Sequence, residues 1–307
     1  AAEGFAYGAE DRPGRHPYHD AGVYYIQEPS AMIAASLLNP QPGEMILDLC
    51  AAPGGKSTQA AARLSGEGLL VSNEIHPARA KILSQNIERM GIRNAVVTNE
   101  DSGRLTKYFP AFFDGIIVDA PCSGEGMFRK DETAVTEWSP ENVEICWQRQ
   151  RRIIADIWPC LKPGGILIYS TCTYNSKEDE ENVRWIQEEF GAELLPLDVR
   201  EEWNITGNLL GGEGESLKGF PVYHFLPHKT KGEGFFLAAL RKPEVEEEEN
   251  VVFSFSKVKA AKKKDKKGGA VTSSPVSKEQ LNIAKSWLND ENSDKYILSA
   301  EGTSIRA

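Results

Sequence analysis

The sequence predicts an α/β fold with a mostly parallel sheet and helices on both faces. Three observations carry this reading. Short apolar runs of strand length recur at residues 45–49, 68–72, 95–98, 114–118 and 166–171. Helix-like segments at residues 56–64, 77–90 and 141–161 lie between successive runs, the signature of βαβ units. Several runs end on an acid or a thiol, and the carboxyl ends of strands are where open α/β sheets hold ligands.

Taken in order, residues 1–21 mix Gly, Pro, His and acids without a period and read as an irregular surface segment. Val23-Tyr-Tyr-Ile26 is a strand candidate, and Gln27-Glu-Pro-Ser30 opens a helix over residues 31–38 that Asn39-Pro40 stops. The run at 45–49 leads through the glycine turn Cys50-Ala51-Ala52-Pro53-Gly54-Gly55 into the helix at 56–64. The run at 68–72 precedes Asn73-Glu74 and an amphipathic helix at 77–90 closed by Gly91. The run at 95–98 precedes Asn99-Glu-Asp101, and that at 114–118 precedes Asp119-Ala-Pro-Cys122-Ser-Gly124. A polar stretch to about residue 140 leads to a long helix at 141–161, ended by Pro163-Gly-Gly165. The run at 166–171 delivers Cys172, after which Ser176-Lys-Glu-Asp-Glu-Glu181 offers the cap and acidic first turn of a helix reaching Phe190. Residues 191–233 give strand and loop pieces without a clear order, and 234–240 is a last strand.

This organisation divides the chain into an amino-terminal segment (1–40), a catalytic core (41–243), a charged linker (244–276) and the start of a further unit (277–307) whose first helix spans 277–288. No internal repeat is present. The lack of an initiating Met and the abrupt ends are those of a piece of a longer chain.

At 307 residues the chain is long enough for a full core, and no apolar stretch approaches the roughly 20 residues of a membrane helix. With no secretory signal, a cytoplasmic protein without membrane partners is expected. The formal charge of -10 counts mildly against nucleic acid, but acids at 244–249 and lysines across 257–267 show that charge is unevenly placed. The five cysteines have no zinc spacing, the five histidines no metal spacing, and no metal site is expected. Cys146 and Cys160, inside a helix, read as small buried hydrophobes.

The glycine turn at 50–55 is neither of the two phosphate-binding loops it resembles. A P-loop needs Gly where Cys50 stands, and the dinucleotide Gly-x-Gly-x-x-Gly is missing. A tight turn into a helix amino terminus remains, which suits a ligand with a carboxylate and a ribose but no phosphate. S-adenosyl-L-methionine is such a ligand. Glu74 is placed for its ribose hydroxyls and Asp101 for its adenine amino group.

Asp119-Ala-Pro-Cys122 differs from the Asn/Asp-Pro-Pro-Tyr arrangement suited to exocyclic amines. A thiol serves another target: C5 of a pyrimidine becomes nucleophilic only after a thiolate adds at C6. One thiol suffices, and Cys122 and Cys172 both follow strands expected to be neighbours.

Asp-Leu-Cys50-Ala-Ala-Pro-Gly-Gly-Lys56, Asp119-Ala-Pro-Cys122-Ser-Gly, Ser170-Thr-Cys172-Thr and Gly234-Phe-Phe, with Tyr25-Ile-Gln-Glu-Pro-Ser30 before them, resemble the RNA cytosine-C5 methyltransferases of the NOL1/NOP2/Sun family over about residues 22–242. The resemblance implies a Rossmann-like class I methyltransferase with a seven-stranded, mostly parallel sheet. It implies that Cys172 is the nucleophile on C6 and that Cys122 aids product release, whereas DNA enzymes use the Pro-Cys thiol as nucleophile. It places Cys50, Ala51, Ala52, Pro53, Gly54, Gly55, Lys56, Glu74, Asp101 and Asp119 around S-adenosyl-L-methionine. It also implies contact of Asp119 with the target cytosine and a Lys56 charge that favours a thiolate.

The Gln-Glu-Pro-Ser segment and the carboxyl-terminal extension resemble the bacterial ribosomal RNA branch, in which the tail begins an RNA-binding, PUA-like module. The expected partner is therefore RNA, ribosomal or in the small subunit and 16S in particular, with no DNA, and the protein a monomer. Transfer RNA is the rival substrate, and an RNA-binding assembly factor without turnover the rival class. The target base must leave its stack to reach the thiols, so opened or single-stranded RNA is the expected form.

Overall fold

The computed structural model describes residues 4–8, 10–210, 219–244, 278–286, 299–301 and 304–306. The chain divides into two compact units, Ala1–Glu248 and Glu249–Ala307.

In the first unit the elements follow the order α1 (Pro17–Asp20), α2 (Ile33–Leu38), β1 (Met45–Asp48), α3 (Gly55–Leu64), β2 (Leu69–Asn73), α4 (Pro77–Arg89), β3 (Ala95–Thr98), α5 (Ser102–Leu105) and β4 (Phe113–Asp119). They continue with α6 (Glu132–Glu137), α7 (Pro140–Ile157), β5 (Leu161–Thr171), α8 (Glu180–Phe190), β6 (Glu193–Leu194), β7 (Tyr223–Phe225) and β8 (Phe235–Arg241). The sheet order is β3-β2-β1-β4-β5-β8-β6, with β7 also on β8. Strands β1 to β5 are parallel, and β8 runs antiparallel to β5. The chain reverses direction of strand addition between β1 and β4, and at such a switch point loops diverge and leave a crevice.

Eight strands replace the expected seven because one edge position is shared. β5 occupies one edge of β8 along 236–241, so β6, opposite Leu240 and Arg241, and β7, opposite 235–237, divide the other edge between them. The apolar runs that predict the central strands are buried as expected: Ile46 and Leu47, Leu70 and Val71, Ile116 to Val118, and Leu167 to Tyr169 are at most 1 % exposed. One cluster, including Val71, Phe113, Ile116, Ile154 and Tyr169, packs on one face, and a second, with Ala34, Ile46, Leu64, Leu70 and Ile117, on the other.

Several boundaries differ from the sequence reading for local reasons. Residues 23–26 are extended but join no sheet, since Tyr24 Oη donates to the carbonyl of Pro13 at 2.7 Å and the Tyr25 ring lies under Arg89. Helix α7 ends at Ile157, followed by a 3-10 turn at Trp158–Cys160, because Pro159 has no N–H to continue it. Pro163-Gly-Gly165 does not end a helix but lies within β5, where the register with β4 shifts between Phe113 and Gly115. Ser176 is not the cap of α8; Asp179 takes that position without a side-chain cap.

Among the described residues no helix is long and apolar enough to cross a membrane. In the second unit α9 (Lys278–Ser286) falls within the helix expected at 277–288, and β9 (Ser299–Glu301) pairs antiparallel with β10 (Ser304–Arg306). The acidic run at 245–249 and the lysine-rich run at 257–267 lie outside the described residues.

Candidate active site

Two neighbouring parallel strands deliver the thiols together. Asp119 of β4 faces Ser170 of β5 in the ladder, and the N–H of Ala120 still donates to the carbonyl of Ser170 at 2.8 Å. From that paired end the chain needs only Pro121 to reach Cys122 and Thr171 to reach Cys172. The two sulfurs lie 3.1 Å apart, and the backbone N–H of Cys172 points at Cys122 Sγ at 3.3 Å. Gly126 closes the loop by donating its N–H to the carbonyl of Cys172 at 2.8 Å. A Cβ there would approach that carbonyl oxygen to 2.7 Å, so the close crossing requires glycine.

The glycine turn lies beside the thiols, where β1 meets α3. Ala51 donates to the carbonyl of Asn73 at 2.8 Å, and the Ala52-Pro53 bond is cis. Gly54, at φ 119°, then turns the chain into α3. Arg79 and Asn86 of α4 donate to the carbonyls of Ala52 and Pro53 at 2.9 and 2.8 Å. A side chain at Gly55 would collide with Gln27 Oε1, so the Gln27-Glu-Pro-Ser30 segment rests directly on this turn.

A cleft of about 630 Å³ joins the two halves. It is lined by Cys50, Ala52, Glu74, Asp101, Asp119, Cys122 and Cys172 among others, which brings most of the sequence-selected residues to one place. Ala51, Pro53, Gly54 and Gly55 shape the turn without lining the cleft, and Lys56 stands behind Asp119. Asp101 also caps α5, accepting from the N–H of Gly103 at 3.0 Å, and Glu74 accepts from the N–H of His76 at 3.0 Å.

The electrostatics separate the two halves. Lys56 Nζ lies 2.7 Å from Asp119 Oδ2 and over the Phe235 ring. Burial alone would lower its pKa, but Asp119 outweighs burial and the ammonium is held above its ordinary value. Asp119 Oδ1 accepts from Ser170 Oγ at 2.9 Å. Burial pushes the Asp48 carboxyl up to about 6, even though Ser57 Oγ donates to it at 2.7 Å and Lys56 is near. The hydrogen bond with Cys172, then burial, then neighbouring negative charge push the Cys122 thiol well above its ordinary value, while the geometry lets either sulfur donate to the other. Burial and the surrounding acids likewise raise Cys50. Burial raises the buried Cys146 to about 11, and it raises Cys160 as well although a hydrogen bond with Thr106 works in the opposite direction.

The sequence reading missed the support beneath this site. Residues 178–180 read as part of the cap and acidic first turn of a helix, and Glu178, Asp179 and Glu180 are in fact fully buried. His224, without a metal spacing in sequence, meets Glu180 Oε1 through Nε2 at 2.9 Å, 44 residues away along the chain. No periodic signal marks such contacts. Trp158 is buried and stacked on Phe190, whereas Trp138 is 37 % exposed and donates to Glu125 at 3.0 Å.

The family described as 16S rRNA methyltransferase RsmB/F matches residues 35–241. Ribosomal RNA small subunit methyltransferase F of Pectobacterium atrosepticum is 42 % identical over 236 residues, 75 % of this chain and 47 % of that protein. The Escherichia coli protein of the same name is 41 % identical over 228 residues, 73 % of this chain and 46 % of its own length. The chain thus spans about half the length of the curated relatives it matches. Among solved structures, NSun6 from Pyrococcus horikoshii, crystallised with SFG, is 29 % identical with a TM-score of 0.65, covering 76 % of this chain and 57 % of that one. A methyltransferase homolog from Pyrococcus horikoshii is 30 % identical with the same TM-score, covering 76 % and 72 %. With two thirds of its length matched and the Rossmann-like methyltransferase fold in place, the chain belongs to the RsmB/F family of 16S rRNA methyltransferases.

Proposed function

We propose that this protein is a cytoplasmic, monomeric enzyme that methylates C5 of a cytidine in RNA, 16S ribosomal RNA being the substrate class its relatives' names carry. The supporting observation is the pair of sulfurs 3.1 Å apart at the mouth of an acid-lined cleft. DNA is not a substrate on this reading. Residues 277–307 are the start of an RNA-binding module, joined to the core by the charged linker at 244–276.

The cofactor is S-adenosyl-L-methionine, and the cleft fits it. The volume is that of a nucleoside-sized ligand, and Glu74, Glu100, Asp101 and Asp119 line it with negative charge suited to a sulfonium and an ammonium. The turn from Cys50 to Lys56, Glu74, Asp101 and Asp119 would hold it. Bound there, it supplies the electrophilic methyl group that C5 of the base takes up.

Cys172 is the nucleophile. Its sulfur forms a bond to C6, the ring π pair moves toward C5, and C5 becomes the nucleophilic carbon. Asp119, fixed by Lys56 and Ser170, is placed to hold the proton that favours addition at N3 of the base. The Lys56 ammonium stabilises negative charge at the Cys172 sulfur. After methylation the C5 proton passes to water, the C5–H electron pair forms the C5=C6 double bond, and the S–C6 bond breaks with its electron pair returning to Cys172. Cys122 assists that exit from 3.1 Å by donating its thiol proton to the departing sulfur.

The test is a denaturing gel of protein, total RNA and S-adenosyl-L-methionine for wild type, Cys122→Ala and Cys172→Ala. Cys122→Ala should accumulate a covalent RNA adduct and Cys172→Ala none. An adduct with Cys172→Ala would reverse the roles. Sequencing of the trapped RNA then gives the target.

A further inference from the structure

Glu178 is fully buried, and its carboxylate has no basic partner among the described residues. Three neutral donors converge on it. Oε2 accepts from the backbone N–H of Ser123 at 3.0 Å and from Gln150 Nε2 at 2.7 Å, and Oε1 accepts from Asn175 Nδ2 at 2.8 Å.

Two of the donors belong to the segments that carry Cys122 and Cys172, and the third, on α7, bridges to the first of them. Ser123 directly follows Cys122. Gln150 Nε2 also donates to the carbonyl of Pro121, just before Cys122, at 3.0 Å. Asn175 is three residues after Cys172, and its amide also donates to Thr173 Oγ1 at 2.9 Å. Ser123 Oγ and Thr173 Oγ1 close the ring at 3.0 Å. The backbone N–H of Glu178 donates in turn to Asn175 Oδ1 at 3.0 Å. One carboxylate is therefore the shared acceptor of the residue after Cys122, of the segment after Cys172, and of a Gln150 amide that also holds the carbonyl before Cys122.

An anion suits this position because every partner is a donor. An amide would turn one of the two oxygens into a donor facing N–H groups, which leaves at least one buried bond unmade. A shorter carboxylate would withdraw from Ser123. Fold stability alone does not need the two loops in register with one another; a reaction in which one sulfur bonds the substrate carbon and the other protonates that sulfur on release does.

We propose that Glu178 is a positioning residue that sets the spacing of the Cys122 and Cys172 sulfurs, by holding Ser123, Gln150 and Asn175 on one buried carboxylate. Its kinetic consequence rests on the methyl-transfer reading above; its effect on the thiols does not.

The test compares wild type, Glu178→Gln, Gln150→Met and Asn175→Ala. Dibromobimane is the first readout: each of two thiolates displaces one bromide, so two S–C bonds form, two C–Br bonds break and two equivalents of HBr leave. Peptide mass mapping assigns the cross-link to Cys122 and Cys172 rather than Cys50. Alkylation of Cys172 alone by iodoacetamide is the control, and methyl transfer to RNA is the second readout.

Glu178→Gln should slow cross-linking about tenfold or more while single-thiol alkylation changes little, and should lower kcat about a hundredfold with KM for S-adenosyl-L-methionine nearly unchanged. The two neighbouring variants should move the same readouts in the same direction by smaller factors. They carry the test if Glu178→Gln does not fold. Cross-linking at the wild-type rate in the folded variants would overturn the proposal. Slower cross-linking together with a wild type that methylates no RNA would leave the positioning role standing and sink the methyl-transfer reading.

Discussion

Asp48 is a carboxyl whose folding cost can be measured apart from catalysis. It is completely buried at the end of β1, its Oδ2 accepts from Ser57, and its Oδ1 has no hydrogen-bond partner among the described residues. Burial raises it to about 6, whereas an Asp in an unfolded chain titrates near ~3.9. The folded state thus binds the proton more tightly. Below about pH 3 both states are protonated and the group costs nothing; the cost grows as pH rises past the unfolded value, and above about pH 6 the folded state carries a buried anion. Two pH units at about 1.4 kcal/mol each make that cost about 3 kcal/mol at pH 8. Asp48→Asn keeps an oxygen for Ser57 and cannot ionise. Because the unfolded Asp is already mostly ionised at pH 4.5, Asp48→Asn should gain about 2 kcal/mol more at pH 8 than at pH 4.5 relative to wild type, or roughly 4–8 °C in melting temperature for a unit of this size. Thermal unfolding of both proteins at the two pH values, at constant ionic strength, measures the difference. An advantage that is the same at pH 4.5 and pH 8 would refute the assignment of a raised carboxyl.

Three further outcomes follow from the same geometry. Lys56→Met leaves Asp119 with Ser170 as its remaining partner; because Asp119 is 31 % exposed, the loss should be about 1–3 kcal/mol rather than the larger cost of a fully buried pair. Denaturant midpoints measure it, and slower iodoacetamide labelling of Cys172 should accompany it, since the Lys56 charge lies near that sulfur. Gly234→Ala should destabilise by about 2–4 kcal/mol, because φ is 127° and the new methyl collides with the Tyr174 hydroxyl, which donates to Glu233. Gly124→Ala, at φ 78° with open space around it, should cost only about 1 kcal/mol, so denaturation curves that rank the two glycines in the opposite order would contradict the packing described here.

The parallel core was legible because each central strand is buried on both faces and so reads as an unbroken apolar run, such as Ile116 to Val118. Many residues that line the cleft, Glu74, Asp119 and Cys172 among them, were legible because they sit where those runs stop. What the sequence hid depends on partners far along the chain. The 178–180 acids read only as part of a helix cap and first turn until Ser123, Gln150 and His224 surround them. Helix α6 buries none of its residues and so has no apolar stripe to betray it; the Asp131 side chain, accepting from Thr133 at 2.9 Å, is its only local signal. Val23-Tyr-Tyr-Ile26 has strand composition, but its aromatic side chains are spent on Pro13 and Arg89 rather than on a ladder. The split edge of β8 was invisible because two residues of β6 and three of β7 are too short to carry a period.

Two carboxylates, Glu178 fully buried and Asp119 partly exposed, thus hold the candidate site from different sides. Asp119 touches both halves: its Lys56 pair reaches back to the glycine turn, and its Ser170 bond reaches the strand that carries Cys172. Glu178 touches only the thiol half. Disturbing Lys56 should therefore change cofactor affinity and thiol reactivity together, whereas disturbing Glu178 should leave cofactor affinity intact. Isothermal titration of S-adenosyl-L-methionine against Lys56→Met and Glu178→Gln separates these cases. Equal weakening in both variants would mean that the two halves are one cooperative unit, and that the sulfur spacing is set by the cleft as a whole.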